Sequence, residues 1–140
     1  MTVREGGCLC GAVRYKVEGE PLMSGACYCR DCQYVAGGAE AVGAAYPAEA
    51  LTVTKGETRQ FVIKGASGAD VTRHFCPACG AHLFAHNSTF PQFRSIKIGT
   101  LDDPSGFTSQ GNIWTSSAQP WHRIDPNLPA WEREPDFGGA

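Results

Sequence analysis

The sequence predicts a mainly β fold, a zinc-stabilised single domain with antiparallel sheets, and three observations lead to that prediction. Short segments in which apolar and polar residues alternate dominate the chain, as is typical of strands with one buried face. Glycine (17 residues) and proline (9 residues) are scattered throughout, and no long amphipathic helix is evident. Seven cysteines in 140 residues fall into three clusters, and metal cross-links would help to stabilise a core of this size.

The strands follow from the alternating segments in chain order. Residues 12–17 alternate valine and tyrosine with arginine and lysine, and residues 94–98 alternate isoleucine with serine and lysine. The predicted strands are residues 12–17, 51–54, 59–64, 71–75, 81–86 and 94–98, with short pieces at 113–114 and 121–124. Residues 33–45 are rich in glycine and alanine, so a loop and a small helical turn both stay open there. One domain is expected over residues 1–140, in which residues 125–140 form a proline-rich C-terminal tail on the surface.

The net charge and the composition limit the kinds of partner that this protein is expected to have. The formal net charge of −2 gives no reason to expect a nucleic-acid partner, because such proteins usually carry a basic stripe. No apolar run reaches the roughly 18 residues that predict a membrane span, and the first residues show no apolar signal core. We therefore expect a cytoplasmic protein, in which clustered cysteines bind metal rather than form disulfides. The odd count of seven cysteines favours the same conclusion.

The first and third cysteine clusters have the spacing of one closed zinc site. They are a C-x-C pair and a C-x-x-C pair with 65 residues between them, and a structural zinc takes four such ligands in a tetrahedron. A glycine follows the last cysteine of each pair, where it lets the backbone turn so that N–H groups point at sulfur. The predicted ligands of this structural zinc are Cys8, Cys10, Cys76 and Cys79.

The middle cluster, a C-x-C-x-x-C triplet, has the composition of an open zinc site. On a strand that runs into a tight turn, the first two cysteines share a face and the third returns to the same metal. Three thiolates leave one coordination position for water or for a substrate thiol, which the metal would hold as a thiolate. The predicted ligands of this catalytic zinc are Cys27, Cys29 and Cys32, which makes two zinc ions per chain.

Two other interpretations of the cysteines stay open from the residues alone. The paired cysteines can be buried free thiols, which are common in protein cores. The triplet can be a second structural zinc site that a histidine closes as the fourth ligand. The candidate histidines are His74, His82, His86 and His122.

Three motifs carry a resemblance to a known family: GCLCGAVRY from residue 7, CYCRDC from residue 27 and FCPACG from residue 75. Together they resemble the glutathione-dependent formaldehyde-activating (GFA) family, also called the CENP-V/GFA domain. The resemblance runs from Gly6 to about Trp131 and includes Trp121 and the Leu128-Pro129 pair. It implies a zinc-stabilised, mostly antiparallel Mss4-like fold, with the outer cysteine pairs at the structural zinc and the triplet at the catalytic zinc.

The resemblance also implies a carbon–sulfur lyase that forms or cleaves S-hydroxymethylglutathione, with glutathione as the thiol substrate. Tyr28 and Asn112 depart from the family, since many relatives carry histidine at both places, and both residues are expected to lie near the open zinc. Candidate proton donors are Tyr28, His86 and Asn112, candidate partners for substrate carboxylates are Arg30, Arg73, Arg94 and Lys97, and candidate cleft walls are Trp114 and Trp121.

Two other functions stay open beside this one, because a fold is transferred between relatives more safely than a substrate is. One is a related enzyme that acts on another thiol. The other is a zinc-stabilised binding module without turnover, which would be favoured if a fourth protein ligand closed the triplet site.

Overall fold

The computed structural model describes residues 1–135. The chain divides into two compact units, the first made of Met1–Met23 and Ala44–Phe107 and the second of Ser24–Gly43 and Thr108–Ala140. Each unit therefore draws on two separate segments of the chain. A single domain over residues 1–140 stays a prediction, and residues 136–140 of its tail lie outside the described residues.

Strands make up most of the regular structure, and the predicted fold class, mainly β with antiparallel sheets, is confirmed. In chain order the elements are β1 (Val3–Gly7), β2 (Arg14–Glu18), β3 (Met23–Cys27), α1 (Arg30–Val35), β4 (Ala41–Pro47), β5 (Leu51–Lys55), β6 (Arg59–Lys64), β7 (Asp70–Phe75), β8 (His82–Asn87), β9 (Phe93–Lys97) and β10 (Asn112–Ile113). Short 3₁₀ turns lie at Ala48–Ala50, Ile98–Thr100 and Thr115–Ser117. Among residues 1–135, no helix has the length and apolar character that crossing a membrane requires.

The first unit is built from antiparallel hairpins. β1, β2 and β5 form a three-stranded sheet in that order, and β9, β8, β7 and β6 are neighbours in a second sheet. The apolar residues that alternate along β2 lie on a buried face of the strand, since Tyr15 and Val17 are at most 1% exposed. The Tyr15 hydroxyl is not left without a partner, because it lies 2.7 Å from the hydroxyl of Thr100.

The second unit contains a parallel pair of strands, β3 and β10. Asn112 of β10 lies opposite Ala26 of β3, and Ile113 lies opposite Cys27. β3 ends at Cys27, and α1 begins three residues later, so the chain turns sharply within the cysteine triplet. β4 has residues in both units.

Six predicted strands are found within about two residues of their predicted ends, and one short piece is wrong. Residues 121–124, predicted as a strand, have no regular structure, and residues 33–45 divide between the end of α1 and the start of β4. The sequence analysis did not identify β1, β3 or β4, since glycines in these segments, such as Gly6, Gly25 and Gly43, hide the alternation.

Candidate metal centres

The two cysteine pairs of the first unit lie in the turns of two hairpins. The turn between β1 and β2 carries Cys8 and Cys10, and the turn between β7 and β8 carries Cys76 and Cys79. The turns close in the same way: Cys8 N–H donates to the Val13 carbonyl at 3.0 Å, and Cys76 N–H donates to the Ala81 carbonyl at 3.0 Å. These two cysteine turns, residues 8–11 and 76–80, are called knuckles below. They share the same closing hydrogen bond, and the fold brings them together.

Both knuckles use glycine in a conformation that other residues rarely adopt. Gly11 has φ +81° and Gly80 has φ +78°, which lies in the left-handed region. Backbone N–H groups then point at sulfur, as predicted: Val13 N lies 3.2 Å from Cys8 Sγ, and Ala78 N lies 3.3 Å from Cys76 Sγ. Such donors offset the negative charge of a thiolate cluster.

The four sulfur atoms of these pairs have the spacing of zinc ligands. Cys8 Sγ lies 3.6 Å from Cys10 Sγ, which lies 3.8 Å from Cys76 Sγ, and Cys79 completes a set with all sulfurs within 4.8 Å of one another. Sulfurs at about 2.3 Å from a tetrahedral zinc are themselves about 3.8 Å apart. All seven cysteines are described, and none forms a disulfide. This donor set fits a structural zinc.

The sulfurs of the four-cysteine cluster shift one another's pKa values in opposite directions. Burial opposes ionisation of Cys8, but the Val13 N–H and the neighbouring thiols lower its pKa to about 6. The Ala12 N–H favours the Cys10 thiolate, yet the neighbouring Cys8 sulfur and burial outweigh it and raise the pKa of Cys10 to about 11. Sulfurs this close cannot all ionise without a compensating positive charge, which a divalent metal supplies.

The triplet lies in the second unit, where a strand end and a helix start bring it together. Cys27 ends β3, Cys29 is the N-cap of α1 with its sulfur accepting the Cys32 N–H at 3.4 Å, and Cys32 lies in the first turn. The three sulfurs lie within 4.8 Å of one another, and no histidine, carboxylate or fourth cysteine joins that set among residues 1–135. Three converging sulfurs without a fourth protein ligand fit an open metal site.

In the triplet, too, the neighbouring sulfurs shift the pKa of a cysteine thiol. Hydrogen bonding to the Cys29 and Cys32 sulfurs, together with burial, raises the pKa of Cys27 far above its usual range. Sulfurs this close repel one another as thiolates, so the Cys27 thiol is favoured to keep its proton. A bound divalent ion would displace that proton, and the triplet would then carry a net charge of −1 with the metal.

Tyr28 and Asn112, which are expected to lie near the open site, are both buried. Tyr28 is 2% exposed and Asn112 is 3% exposed, whereas Cys27 and Cys29 are only partly buried. In extended chain, successive side chains point to opposite faces, so Tyr28 lies on the face opposite to the two cysteines. Asn112 shares that buried face, because it is paired with Ala26.

The four candidate histidines do not belong to either sulfur cluster. Both ring nitrogens of His122 are engaged: Nδ1 accepts the Gln119 N–H at 2.8 Å, so Nε2 carries the proton and donates to the Gly38 carbonyl at 2.9 Å. His74 contacts Thr58 Oγ1 at 3.1 Å and His86 Nδ1 at 3.3 Å. His82 lies in β8, beside Phe75.

Gln33 is a site residue that the sequence analysis missed. It follows Cys32, is 2% exposed, and its Nε2 donates to the Tyr28 carbonyl at 2.8 Å and to the Ser117 carbonyl at 3.0 Å. Its Oε1 accepts from Arg30 and from Gln119. The one sequence signal was a polar residue on the inner side of a six-residue helix, which is too short for a periodicity argument.

Comparisons with known proteins agree with this description. Residues 3–117 match the family described as "Glutathione-dependent formaldehyde-activating enzyme". Over 93 residues the chain is 34% identical to a protein of Halomonas elongata named "Putative glutathione-dependent formaldehyde-activating enzyme", a match that spans 63% of this chain and 59% of that relative. A crystal structure of a Rhodobacter sphaeroides protein has a TM-score of 0.58 at 19% identity, covering 91% of this chain and 98% of that one.

These findings differ in what they support. The structural likeness at 19% identity shows the fold alone, and the curated relative is matched over less than two thirds of its length. The family match covers most of the chain and includes all seven cysteines. The resemblance seen in the cysteine motifs is confirmed, and the chain belongs to the glutathione-dependent formaldehyde-activating family.

Proposed function

We propose that the protein is a zinc-dependent carbon–sulfur lyase that forms or cleaves S-hydroxymethylglutathione or a related thiol adduct. The observation that carries the proposal is the triplet: three sulfurs within 4.8 Å of one another, partly accessible, with no fourth protein ligand among residues 1–135. A closed site would serve stability alone, whereas an open one leaves room for a reacting group. Membership of the family supports glutathione and formaldehyde as the substrates.

The two cysteine clusters take different roles in this proposal. Cys8, Cys10, Cys76 and Cys79 hold a closed zinc and stabilise the two knuckles, while Cys27, Cys29 and Cys32 hold the catalytic zinc. Zinc at the triplet would supply Lewis acidity and keep a bound thiol ionised. We also propose a cytoplasmic location, where glutathione is abundant and thiols stay reduced.

The residues around the triplet act by holding its geometry. The Cys32 N–H bonded to Cys29 Sγ favours the ionised sulfur, and Gln33 fixes the carbonyl between Cys27 and Cys29. In the reaction, the thiol sulfur forms a bond to the aldehyde carbon and the C=O π pair moves to oxygen. That oxygen takes up the proton that the thiol has lost, and the cleavage direction reverses these steps.

The metal content of the purified chain tests the two-zinc arrangement. Elemental analysis should give close to two zinc ions per chain, with one of them perturbed or lost in excess glutathione. A single tightly held zinc that ignores glutathione would leave only the four-cysteine site and would contradict the catalytic assignment.

Turnover tests the reaction itself. Cys29→Ala should abolish formation of the hydroxymethyl adduct, followed by NMR of labelled formaldehyde, while circular dichroism stays that of the parent. Ser116→Ala is a control in the same unit, since the Ser116 hydroxyl donates only to the Glu132 carbonyl. Activity with other thiols but not with glutathione would favour the related enzyme. Absence of both turnover and thiol binding would favour the binding module.

A further inference from the structure

Arg30 occupies the turn of the triplet itself. It lies between Cys29 and Cys32, it is the first residue of α1, and its side chain is exposed. A cation at this end of a helix is not stabilised by the helix dipole, so its position needs another cause. Two contacts hold it: Nη1 donates to Gln33 Oε1, and the guanidinium lies 5.1 Å from the centre of the Tyr34 ring.

The side-chain amide of Gln33, whose oxygen accepts the hydrogen bond from Arg30, cannot flip. Both hydrogens of the Gln33 amide are directed at carbonyls, those of Tyr28 and Ser117. A flipped amide would place its oxygen against these two carbonyls and its NH₂ group against the donors of Arg30 and Gln119. Since Gln33 is 2% exposed, water cannot relieve such a mismatch. The oxygen therefore always faces Arg30.

A neutral acceptor positions the guanidinium without neutralising it. Elsewhere in the chain, Arg4 pairs with Glu20 and Arg14 pairs with Asp102. Within residues 1–135, Arg30 has no such carboxylate partner, and Gln33 occupies only one of its five N–H groups. The remaining donors keep the planar fork that binds a carboxylate through two parallel hydrogen bonds.

The Tyr34 ring also contacts the Arg30 guanidinium. Tyr34 is 79% exposed, so burial does not explain its position, and its contact with Arg30 is a cation–π contact. An arginine held by a fixed amide and an aromatic face loses less conformational entropy on binding an anion than a free surface arginine does.

We propose that Arg30 is a specificity-determining residue that binds a carboxylate of the thiol substrate, so that the triplet site selects carboxylate-bearing thiols. The inference rests on the proposed function, since it assumes that a thiol approaches the triplet. Arg30 makes no bond in the reaction: it orients the thiol, whose sulfur approaches the three cysteine sulfurs of the triplet. Gln33 and Tyr34 position Arg30.

The test compares glutathione with its diethyl ester, in which both carboxylates are esterified and therefore uncharged. In Arg30→Gln, KM for glutathione should rise about 10- to 100-fold with kcat retained, because a charge-assisted hydrogen bond to the bound thiol is lost. KM for the ester should not change, and Arg30→Lys should recover only part of the loss. Arg123→Gln is the matched control, since the Arg123 guanidinium is bonded to the carbonyls of Pro120 and His122.

Two further measurements separate this inference from the proposed reaction. Zinc content should be the same in the parent and in Arg30→Gln; a loss of zinc in the variant would show that Arg30 serves the metal site, and would overturn the proposal. Nitrogen-15 NMR of the arginine side chains should show the Arg30 signal shifting with glutathione and not with the ester, even if neither thiol is turned over. An equal shift with both thiols, or an equal rise in KM for both, would contradict carboxylate recognition.

Discussion

The side-chain amide of Gln33 donates a 2.8 Å hydrogen bond to the main-chain carbonyl of Tyr28. Tyr28 stands between two of the triplet cysteines, and its own N–H donates to the Ile113 carbonyl at 3.0 Å. The peptide groups on both sides of Tyr28 are therefore fixed from opposite directions, one by the helix and one by β10. The positions of Cys27 and Cys29 depend on these two bonds.

Gln33→Ala should reduce both stability and metal retention at the triplet. The change removes the Gln33 donor from the buried Tyr28 carbonyl and from the partly buried Ser117 carbonyl, which costs about 1–3 kcal/mol in the free energy of unfolding. Chemical denaturation measures that loss. In competition with a chelator, zinc at the triplet should leave more easily in the variant, while zinc at the four-cysteine cluster should stay bound. Gln60→Ala, on an exposed position of β6, is the control. Unchanged zinc affinity in Gln33→Ala would show that the amide is not needed to position the cysteines.

The two cysteine clusters should differ in their effect on folding. Cys8→Ala or Cys79→Ala should unfold or aggregate the protein, because a structural zinc contributes roughly 10 kcal/mol of apparent binding energy to a small fold. Cys32→Ala should be milder and leave a cooperative thermal transition. Circular dichroism melts of the three variants compare them. Equal damage in both classes would contradict the division into a structural and a catalytic site.

The knuckle glycines should not tolerate a side chain. At the φ values of +81° for Gly11 and +78° for Gly80, alanine costs about 1–2 kcal/mol although there is room for its methyl group. Gly99→Ala is the control, because Gly99 has equal room for a methyl group and no positive φ. Urea midpoints should fall for the first two variants and hold or rise slightly for the third. A fall that is equal in all three would rule out backbone strain as the cause.

Acid should weaken the ion pair that links Arg14 to Asp102. Arg14 Nη1 donates to Asp102 Oδ1 at 2.8 Å, and this hydrogen bond lowers the pKa of Asp102 below its usual value. A carboxyl whose pKa is lower in the folded than in the unfolded state stabilises the fold above the unfolded pKa. That stability is lost as the pH falls through the folded pKa.

Carbon-13 NMR of the carboxyl groups measures the pKa of Asp102 directly. Arg14→Gln should bring it back towards the ordinary value and make the parent and the variant equally stable at low pH. Arg59→Gln, which changes an exposed arginine of β6, should leave the Asp102 titration unchanged. An Asp102 pKa that is the same with and without Arg14 would contradict the effect of the ion pair.

The spacing of the cysteines predicted the triplet as one candidate metal site and suggested that the two outer pairs form another. Ligands only two or three residues apart can reach one metal through local backbone geometry, so the grouping of Cys27 with Cys29 and Cys32 needs no knowledge of distant contacts. The alternation of residues 59–64 predicted β6 at its observed ends, because a period of two is a local property of the extended chain, although five of its six residues are exposed.

The contacts between segments that are distant in the chain are known only from the tertiary structure. The sequence could propose that the pair at Cys8 joins the pair at Cys76, but the spacing of 3.8 Å between Cys10 Sγ and Cys76 Sγ exists because two hairpins fold against each other. Likewise, the burial of Tyr28 depends on residues distant in the chain, such as His122, whose ring contacts the Tyr28 ring. The sequence by itself determined which atoms can bind metal, since ligand chemistry is local. The tertiary structure decided which side chains surround them, since burial and hydrogen bonding depend on residues distant in the chain.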